Sequence, residues 1–410
     1  MVGTIARKEI AENLLSYKFF VVILLSAVLI FTSLFVMARD YTGRVADYQL
    51  IKPKPGEPIA VLPPNPLSVF AKGLEDSLTR SFEPNFNGIE ARTGRSSANN
   101  VFAFFPAPDF VYIVKVVLSL VALLFGFDLI SREREAGTLK LVLANPVSRA
   151  TLLFGKWLGN MLSLGVPFFL ITGLGLVVLS LDPSFRLTAS GFGRLILILA
   201  VSLAYLALFL SLGLFISSVT RRSASSLVVL LLIWALLVFV LPNTGTLLAR
   251  QIVELPSVRA MQEKREQIWT REILLTYSDR GNRDAHFKTM IDEIDLLEED
   301  YRNIFDRLVR LAKSLNRISP SAAFVYAATE IAGTGAGEES RLKREVVRYK
   351  NQVLESGTLE GNRAPAFMYS YRSVGTVMAE GGLFDVAWLL VFNILFFGAA
   401  YAAVVRYDVR

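Results

Sequence analysis

The sequence carries few of the side chains on which enzymes most often rely. Its 410 residues include no cysteine and a single histidine, His286. A thiolate nucleophile is therefore excluded, and histidine-based catalysis and multi-histidine metal sites are nearly so. Asp128 and Asp385 border apolar segments, but the topology derived below predicts them on opposite membrane faces. We predict no catalytic residue, no metal site and no cofactor held by this chain.

A nucleotide-hydrolysing site is also missing from the sequence. It would need a phosphate-binding loop of the form G-x-x-x-x-G-K-[ST]. Gly155–Lys156 is followed by Trp157, and the glycine-rich stretch 333–340 contains no lysine. If this protein is driven by ATP, the nucleotide and its Mg²⁺ must be bound by another polypeptide.

Residues 131–149, SREREAGTLKLVLANPVSR, place four basic and two acidic residues between two strongly apolar segments. Gly137 allows a bend, Pro146 would stop a helix, and Ser148 is a suitable N-cap for the next helix. We predict one or two short helices lying along the inner membrane surface. The alternative is a loop that only fixes topology.

Side chains in this segment divide into two groups. Leu139, Val142 and Leu143 can face the bilayer or the protein. Glu133, Arg134 and Lys140 are expected to remain available for a surface contact. Asp128, just before the segment, can pair with Arg132 at i+4 and pin the segment to the preceding helix, or it is an ordinary interfacial carboxylate.

Long apolar runs dominate the rest of the chain. Hydrophobic residues make up 53% of it, and its mean hydropathy is +0.47. A membrane-spanning helix needs about 20 mostly apolar residues. The predicted spans are 19–36, 110–130, 152–181, 192–219, 225–242 and 383–405.

The distribution of charge predicts the orientation of these spans. The long segments 37–109 and 243–382 are neutral, with 8 basic and 8 acidic residues in the first and 20 of each in the second. The net charge of +7 therefore comes from the spans and short loops, where lysine and arginine favour the cytoplasmic side. We predict an all-α polytopic membrane protein with six spans and both termini cytoplasmic, in the inner membrane of a prokaryote. A nucleic-acid partner is not expected.

Residues 1–18 precede the first span. Ala6, Ile10 and Leu14 repeat at helical spacing with charges on the other face, which predicts an amphipathic helix at the membrane interface. The alternative is a polar tail that helps to orient the span.

The two long segments are predicted outside the cytoplasm. The first is rich in proline and glycine, and we expect little regular structure beyond short helices around 67–79. The second carries a heptad-like apolar stripe over 287–318, which could pack against 247–277 as a hairpin turned by SDRGNRD. A further amphipathic helix is predicted at 338–355. This mainly helical insert is either a rod that meets a partner or a self-contained domain.

Some residues within the spans also have two interpretations. Lys115 is expected to extend to the outer interface or to contact cargo. Gly155 and Gly159 could allow close helix contact, and Gly213 could do likewise or simply kink its span.

The run E-R-E-x-G-T-L-x-L-x-L-x-x-P-V-S-R, followed by LLFGKWLG, resembles the ABC-2 type permeases, the membrane subunits of one class of ATP-binding-cassette exporters. The resemblance covers about 1–36, 110–242 and the last span. It implies that 131–151 is a coupling segment docking on a separate ATPase subunit. The residues implied in ATPase contact are Arg132, Glu133, Arg134, Glu135, Gly137 and Thr138. Those implied in supporting the segment are Asp128, Pro146, Ser148 and Arg149.

The resemblance also implies a second permease subunit, identical or different, beside this one, with membrane lipids around both. The large insert between the fifth and sixth spans departs from the compact family pattern and resembles a larger subset. Three functions remain open: export of a substrate, a mechanical relay acting on an extracytoplasmic protein, and a passive membrane anchor.

Overall fold

The computed structural model contains six helices long and apolar enough to cross a membrane. They are Tyr17–Ile51, Phe110–Glu135, Arg149–Ser180, Ala189–Val219, Ser223–Ile252 and Val374–Val405, numbered as the first to sixth spans. The structure describes residues 1–79, 81–85, 88–92, 108–144, 147–278, 280–356 and 363–406. The prediction of an all-α polytopic membrane protein is confirmed.

Three spans contain one π-helical turn each, at Val114–Leu118, Leu236–Val240 and Met378–Gly382. The second span is α-helical at Phe110–Ile113 and Ser119–Gly126. The fifth is α-helical at Ser223–Ala235 and Leu241–Ile252, and the sixth at Val374–Val377 and Leu383–Val405. Such turns free backbone carbonyls, which other groups can then bond.

We call the two ends of the bundle the terminal end and the insert end. Helix α1, Val2–Leu14, lies at the terminal end, as do the short helices Ser131–Glu135 and Leu139–Ala144. The insert end carries helices α2 (Val258–Ser278), α3 (Arg283–Asn316), α4 (Pro320–Ala332) and α5 (Ala336–Glu355). It also carries short helices Pro66–Val69 and Glu75–Leu78.

The predicted hairpin in the insert is present as α2 and α3, joined by the 3₁₀ turn Arg280–Asn282, but its first arm begins at Val258 because residues 247–252 continue the fifth span. We call this α2–α3 hairpin the rod. Ala249 and Val253, from the end of the fifth span, pack with Leu308 of α3 in a core of their own. His286 lies inside this rod, with its Nδ1 3.4 Å from Glu272. The predicted helix at 338–355 is α5.

Helix α4 fills the insert end of the bundle. Tyr205 of the fourth span stacks on its Phe324 with ring centroids 4.4 Å apart. Ser319 and Ser321 both donate to the carbonyl of Leu237, which lies in the π turn of the fifth span. The helix therefore takes up a backbone acceptor that the π turn makes available.

The segment between the first two spans is more ordered than predicted. The first helix continues to Ile51, well past the predicted span end at Val36. Strands β1 (Ser81–Asn85) and β2 (Gly88–Arg92) form an antiparallel hairpin that the sequence analysis did not anticipate. The hairpin is stabilised from outside the segment, because Phe82 packs in a small core with Leu342 and Val346 of α5.

A buried charge cluster explains the long first helix. Arg44 lies 3.4 Å from the carboxylate of Glu75 and 3.2 Å from Asp40. Glu75 is fully buried and accepts the backbone N–H of Asn65 at 2.6 Å. Burial raises the pKa of Glu75 to about 7, although the Arg44 charge acts in the opposite direction.

This pKa predicts that stability declines as the pH rises. The ordinary pKa is 4.5, so between pH 4.5 and 7 the folded state holds a proton that the unfolded state releases. The resulting stabilisation is complete below the unfolded value and is lost as the pH passes the folded value. Glu75→Gln should remove a pH-dependent loss of roughly 3 kcal/mol, seen as a smaller change in unfolding midpoint between pH 5 and 8. An unchanged pH response would refute this assignment, and Glu57→Gln, at an exposed position in the same segment, is the control.

Candidate functional site

The terminal end of the bundle is organised around Lys156, two turns into the third span. Its side chain is 2% exposed. Its ammonium lies 2.9 Å from Glu9 of α1 and 2.8 Å from Glu133 of the 131–135 helix. A buried ammonium is tolerated only when it is paired and hydrogen-bonded. Lys156 therefore requires both carboxylates, and they come from two different segments.

Polar contacts continue along the same face of the third span. Asn160 donates to Glu9 at 3.2 Å. Asn13 donates to Asn160 at 2.9 Å and to Ser163 at 3.1 Å. The positions 156, 160 and 163 share one helix face, so α1 is docked along it by side chains rather than by apolar contact alone.

Gly155 and Gly159 allow α1 to approach. A Cβ at Gly159 would lie 2.8 Å from the carbonyl oxygen of Ala6 and 2.7 Å from Cβ of Glu9. The close helix contact predicted for this glycine pair is present, with α1 as the partner. Gly213 makes a similar approach to Gly126 between the fourth and second spans.

The face of α1 that packs on the protein includes a charged residue that the sequence analysis did not place there. Ala6 is buried, but so is Glu9, while Leu14 is 48% exposed. The helix turns Glu9 inward because the surface that receives it carries Lys156. Whether α1 also touches the membrane interface stays a prediction.

The 131–149 segment, whose first helix forms the end of the second span, is held in place by contacts with the rest of the bundle. Arg134 donates to the carbonyls of Ser218 and Thr220, each at 2.9 Å, and so satisfies the C-terminal end of the fourth span. Glu135 accepts the backbone N–H of Ser223, where the fifth span begins. The segment is thus joined to four other parts of the bundle: α1 and the third, fourth and fifth spans.

This arrangement corrects three expectations. Glu133 and Arg134 do not remain available for a surface contact, since the carboxylate of Glu133 points to Lys156 and the guanidinium of Arg134 is bonded to the end of the fourth span. In the described part of the chain Arg132 pairs with Glu12 of α1, at 3.1 Å, rather than with Asp128. Asp128 instead lies near the Lys18 charge.

Other predicted residues lie as follows. Ser148 is the N-cap of the third span and accepts the N–H of Thr151 at 3.1 Å, as predicted. Arg149 donates to the carbonyls of Val404 and Val405 at the end of the sixth span. Gly137 has φ +73°, which fits the predicted bend. Pro146 and the side chains of Val142 and Leu143 lie outside the described residues.

What remains exposed is a compact turn. Leu139 is buried, but the surrounding side chains are exposed. A Cβ added at Gly137 would have no other atom within 4 Å. Arg7 and Lys8 of α1 and the loop residues Arg221 and Arg222 are exposed at the same end. The exposed residues of the segment, called here the terminal patch, are Arg132, Glu135, Ala136, Gly137, Thr138, Lys140 and Leu141.

Lys156, Glu9 and Asn160 also belong to the site and were not predicted from the sequence. The available signal was a lysine inside a predicted span opposite a helix with a glutamate between its apolar positions. Within the described residues no group of three or more histidine, cysteine or acidic side chains could hold a metal ion.

Six apolar helices long enough to cross a membrane define a multi-pass membrane protein. Residues 3–408 match the family described as ABC-2 family transporter protein, and the chain belongs to that family. It is also similar to the Probable ABC transporter permease protein NosY of Pseudomonas aeruginosa, with 34% identity over 113 residues. That match covers 27% of this chain and 40% of NosY. The chain is a membrane permease component of an ABC transporter.

The Lys156 triad predicts a strong effect of one substitution. Lys156→Met should leave two buried carboxylates facing each other, and breaking a buried pair costs about 3–5 kcal/mol. Samples are heated and then run on size-exclusion chromatography. We expect the temperature at which half of the monodisperse peak is lost to be clearly lower in the variant. The triple variant Lys156→Met, Glu9→Gln, Glu133→Gln should recover most of that loss. Lys8→Met, at an exposed lysine of α1, is the matched control, and equal effects at both lysines would contradict the assignment.

Proposed function

We propose that this chain couples ATP hydrolysis by a separate ATPase subunit to movement of a substrate across or out of the membrane. The terminal patch is the docking surface in this proposal. The single observation that supports it most is the combination of an exposed turn with a buried support. A displacement of the patch would be transmitted directly to the bundle, because Glu133 and Arg134 connect the turn to Lys156 and to the end of the fourth span.

The orientation is part of the proposal. The terminal end faces the cytoplasm, as the excess of lysine and arginine there favours, and the membrane is the inner membrane of a prokaryote. ATP and Mg²⁺ are held by the ATPase subunit, which alone hydrolyses the nucleotide. A second permease subunit, identical or different, completes the path. The ATPase shifts the permease only by binding one of its states more tightly than the other.

The proposal predicts that Lys140→Glu weakens ATPase binding. Lys140 is exposed and its reversal should not disturb the bundle. Because it reverses a charge at the rim of the interface, we expect roughly fivefold less ATPase co-purifying with the permease. Arg186→Glu reverses an exposed charge at the insert end and serves as the control. Undiminished co-purification and coupled ATPase activity in Lys140→Glu would count against the patch.

A second candidate function is a mechanical relay, in which the insert moves and acts on an extracytoplasmic protein. One observation favours it. Asp385, fully buried where the sixth span becomes α-helical, is bound by both Nε and Nη2 of Arg317, directly after α3. Lys313, in the last turn of α3, lies 3.8 Å from the same carboxylate. The rod is therefore tied to the sixth span by charge.

The relay predicts that Asp385→Asn uncouples the rod from the bundle. The chain has no native cysteine. Ser278→Cys on the rod and Gly398→Cys on the sixth span can therefore each carry a thiol-reactive spin label. In the ATPase complex, the distance between them should change with nucleotide state in the parent chain, and the change should shrink in the variant. Asp300→Asn, at an exposed position of α3, should leave it intact. A constant distance in the parent chain, with substrate transport observed, would support export without relay.

A further inference from the structure

A groove between the first and third spans near the insert end has no part in the proposed coupling. Its volume is about 580 Å³. The third span lines it with positions 175, 178 and 179, which form one helix face, and Asp182 adjoins them just after the span ends. The first span faces it from Phe31 to Thr42. Leu34, Phe35 and Ala38 form its apolar floor on the first span, and Arg39, Thr42 and Asp182 lie at its mouth.

The length of the groove corresponds to one leaflet. At 1.5 Å per helical residue, Phe31 to Thr42 spans about 16 Å. Half of a hydrocarbon core of about 30 Å is nearly the same. At the deep end Leu34 packs directly on Gly175, where a Cβ would lie 2.5 Å from Cδ1 of Leu34. The deep part of the groove is thus mainly apolar.

The mouth of the groove carries one cation and one anion. Arg39 is exposed and stacks over the ring of Phe35 at 4.6 Å. Asp182 accepts the N–H of Ser184 at 2.8 Å and the hydroxyl of Thr42 at 3.3 Å, which fixes its carboxylate. Among the described residues, no opposite charge lies within 4 Å of Arg39 or of Asp182.

We propose that the groove binds one acyl chain of a zwitterionic phospholipid that has a primary amine in its head group. The chain occupies the apolar floor, the phosphate bonds Arg39, and the ammonium bonds Asp182. Both mouth charges are then matched at once. An anionic lipid would match Arg39 but leave Asp182 facing negative charge. A choline head group has no N–H to donate to the carboxylate.

The test is lipid retention by the purified full-length chain. The protein is incorporated into nanodiscs of equal parts phosphatidylethanolamine, phosphatidylcholine and phosphatidylglycerol, extracted with mild detergent, and its retained lipids are counted by mass spectrometry. We expect phosphatidylethanolamine to predominate. Arg39→Gln should lower it roughly tenfold, the effect of losing one charge-assisted hydrogen bond. Asp182→Asn should retain phospholipid but abolish the preference for the primary amine over choline. Arg186→Gln, an exposed charge in the neighbouring loop, should change nothing.

Several results would overturn the proposal. One is equal retention by the parent chain, Arg39→Gln and Asp182→Asn. Another is a preference for phosphatidylglycerol that Asp182→Asn leaves unchanged. If a charge variant elutes as aggregate, Ala38→Phe, which fills the apolar floor, must displace the lipid instead. Disulfide formation between two copies carrying Ala38→Cys would show that a second copy, rather than a lipid, covers the groove.

Discussion

The buried ammonium of Lys156 constrains the whole terminal end of the protein. Removing such a charge from water costs several kcal/mol unless opposite charges and hydrogen bonds replace the water. Glu9 and Glu133 supply them from segments that are far apart in the sequence. One buried charge cluster therefore connects the third span, α1 and the 131–135 helix. The terminal patch inherits its rigidity from this triad, although none of its exposed residues belongs to it.

The insert end follows the same rule with a different cation. Arg372 binds Glu330, Glu338 and Glu380. Burial alone would lower the pKa of Arg372, but the hydrogen bonds to these carboxylates raise it. Glu330 lies at the end of α4, Glu338 begins α5, and Glu380 lies in the π turn of the sixth span. One guanidinium thus joins three elements, as Lys156 does at the other end.

The sequence predicted features that depend on continuous or periodic apolar residues. The spans, the α2–α3 hairpin and α5 follow from run length and helical repeat, and the Ser148 cap follows from its local chemistry. Contacts between distant segments were not predictable in this way. A five-residue helix has too little periodicity to show that Glu133 points inward. The extension of the first helix to Ile51 depends on Arg44 meeting Glu75, and the β-hairpin depends on the core it shares with α5. The glycine pair Gly155 and Gly159 indicated a close contact, but not which helix would make it.

The two charged ends are connected through the sixth span. Arg149, the last residue of the 131–149 segment, holds the carbonyls of Val404 and Val405 at one end of that span. Asp385 holds Arg317 near its other end. A displacement of the segment that kept its hydrogen bonds would therefore move the sixth span and, through it, the base of the rod. The π turn Met378–Gly382 lies beyond Asp385 on this path, so the motion reaches the rod through the Arg317–Asp385 pair before it reaches the turn. Export and relay thus differ in whether this ion pair keeps its geometry while the sixth span moves. An intact pair transmits the motion to the rod, and a pair that separates confines the motion to the spans.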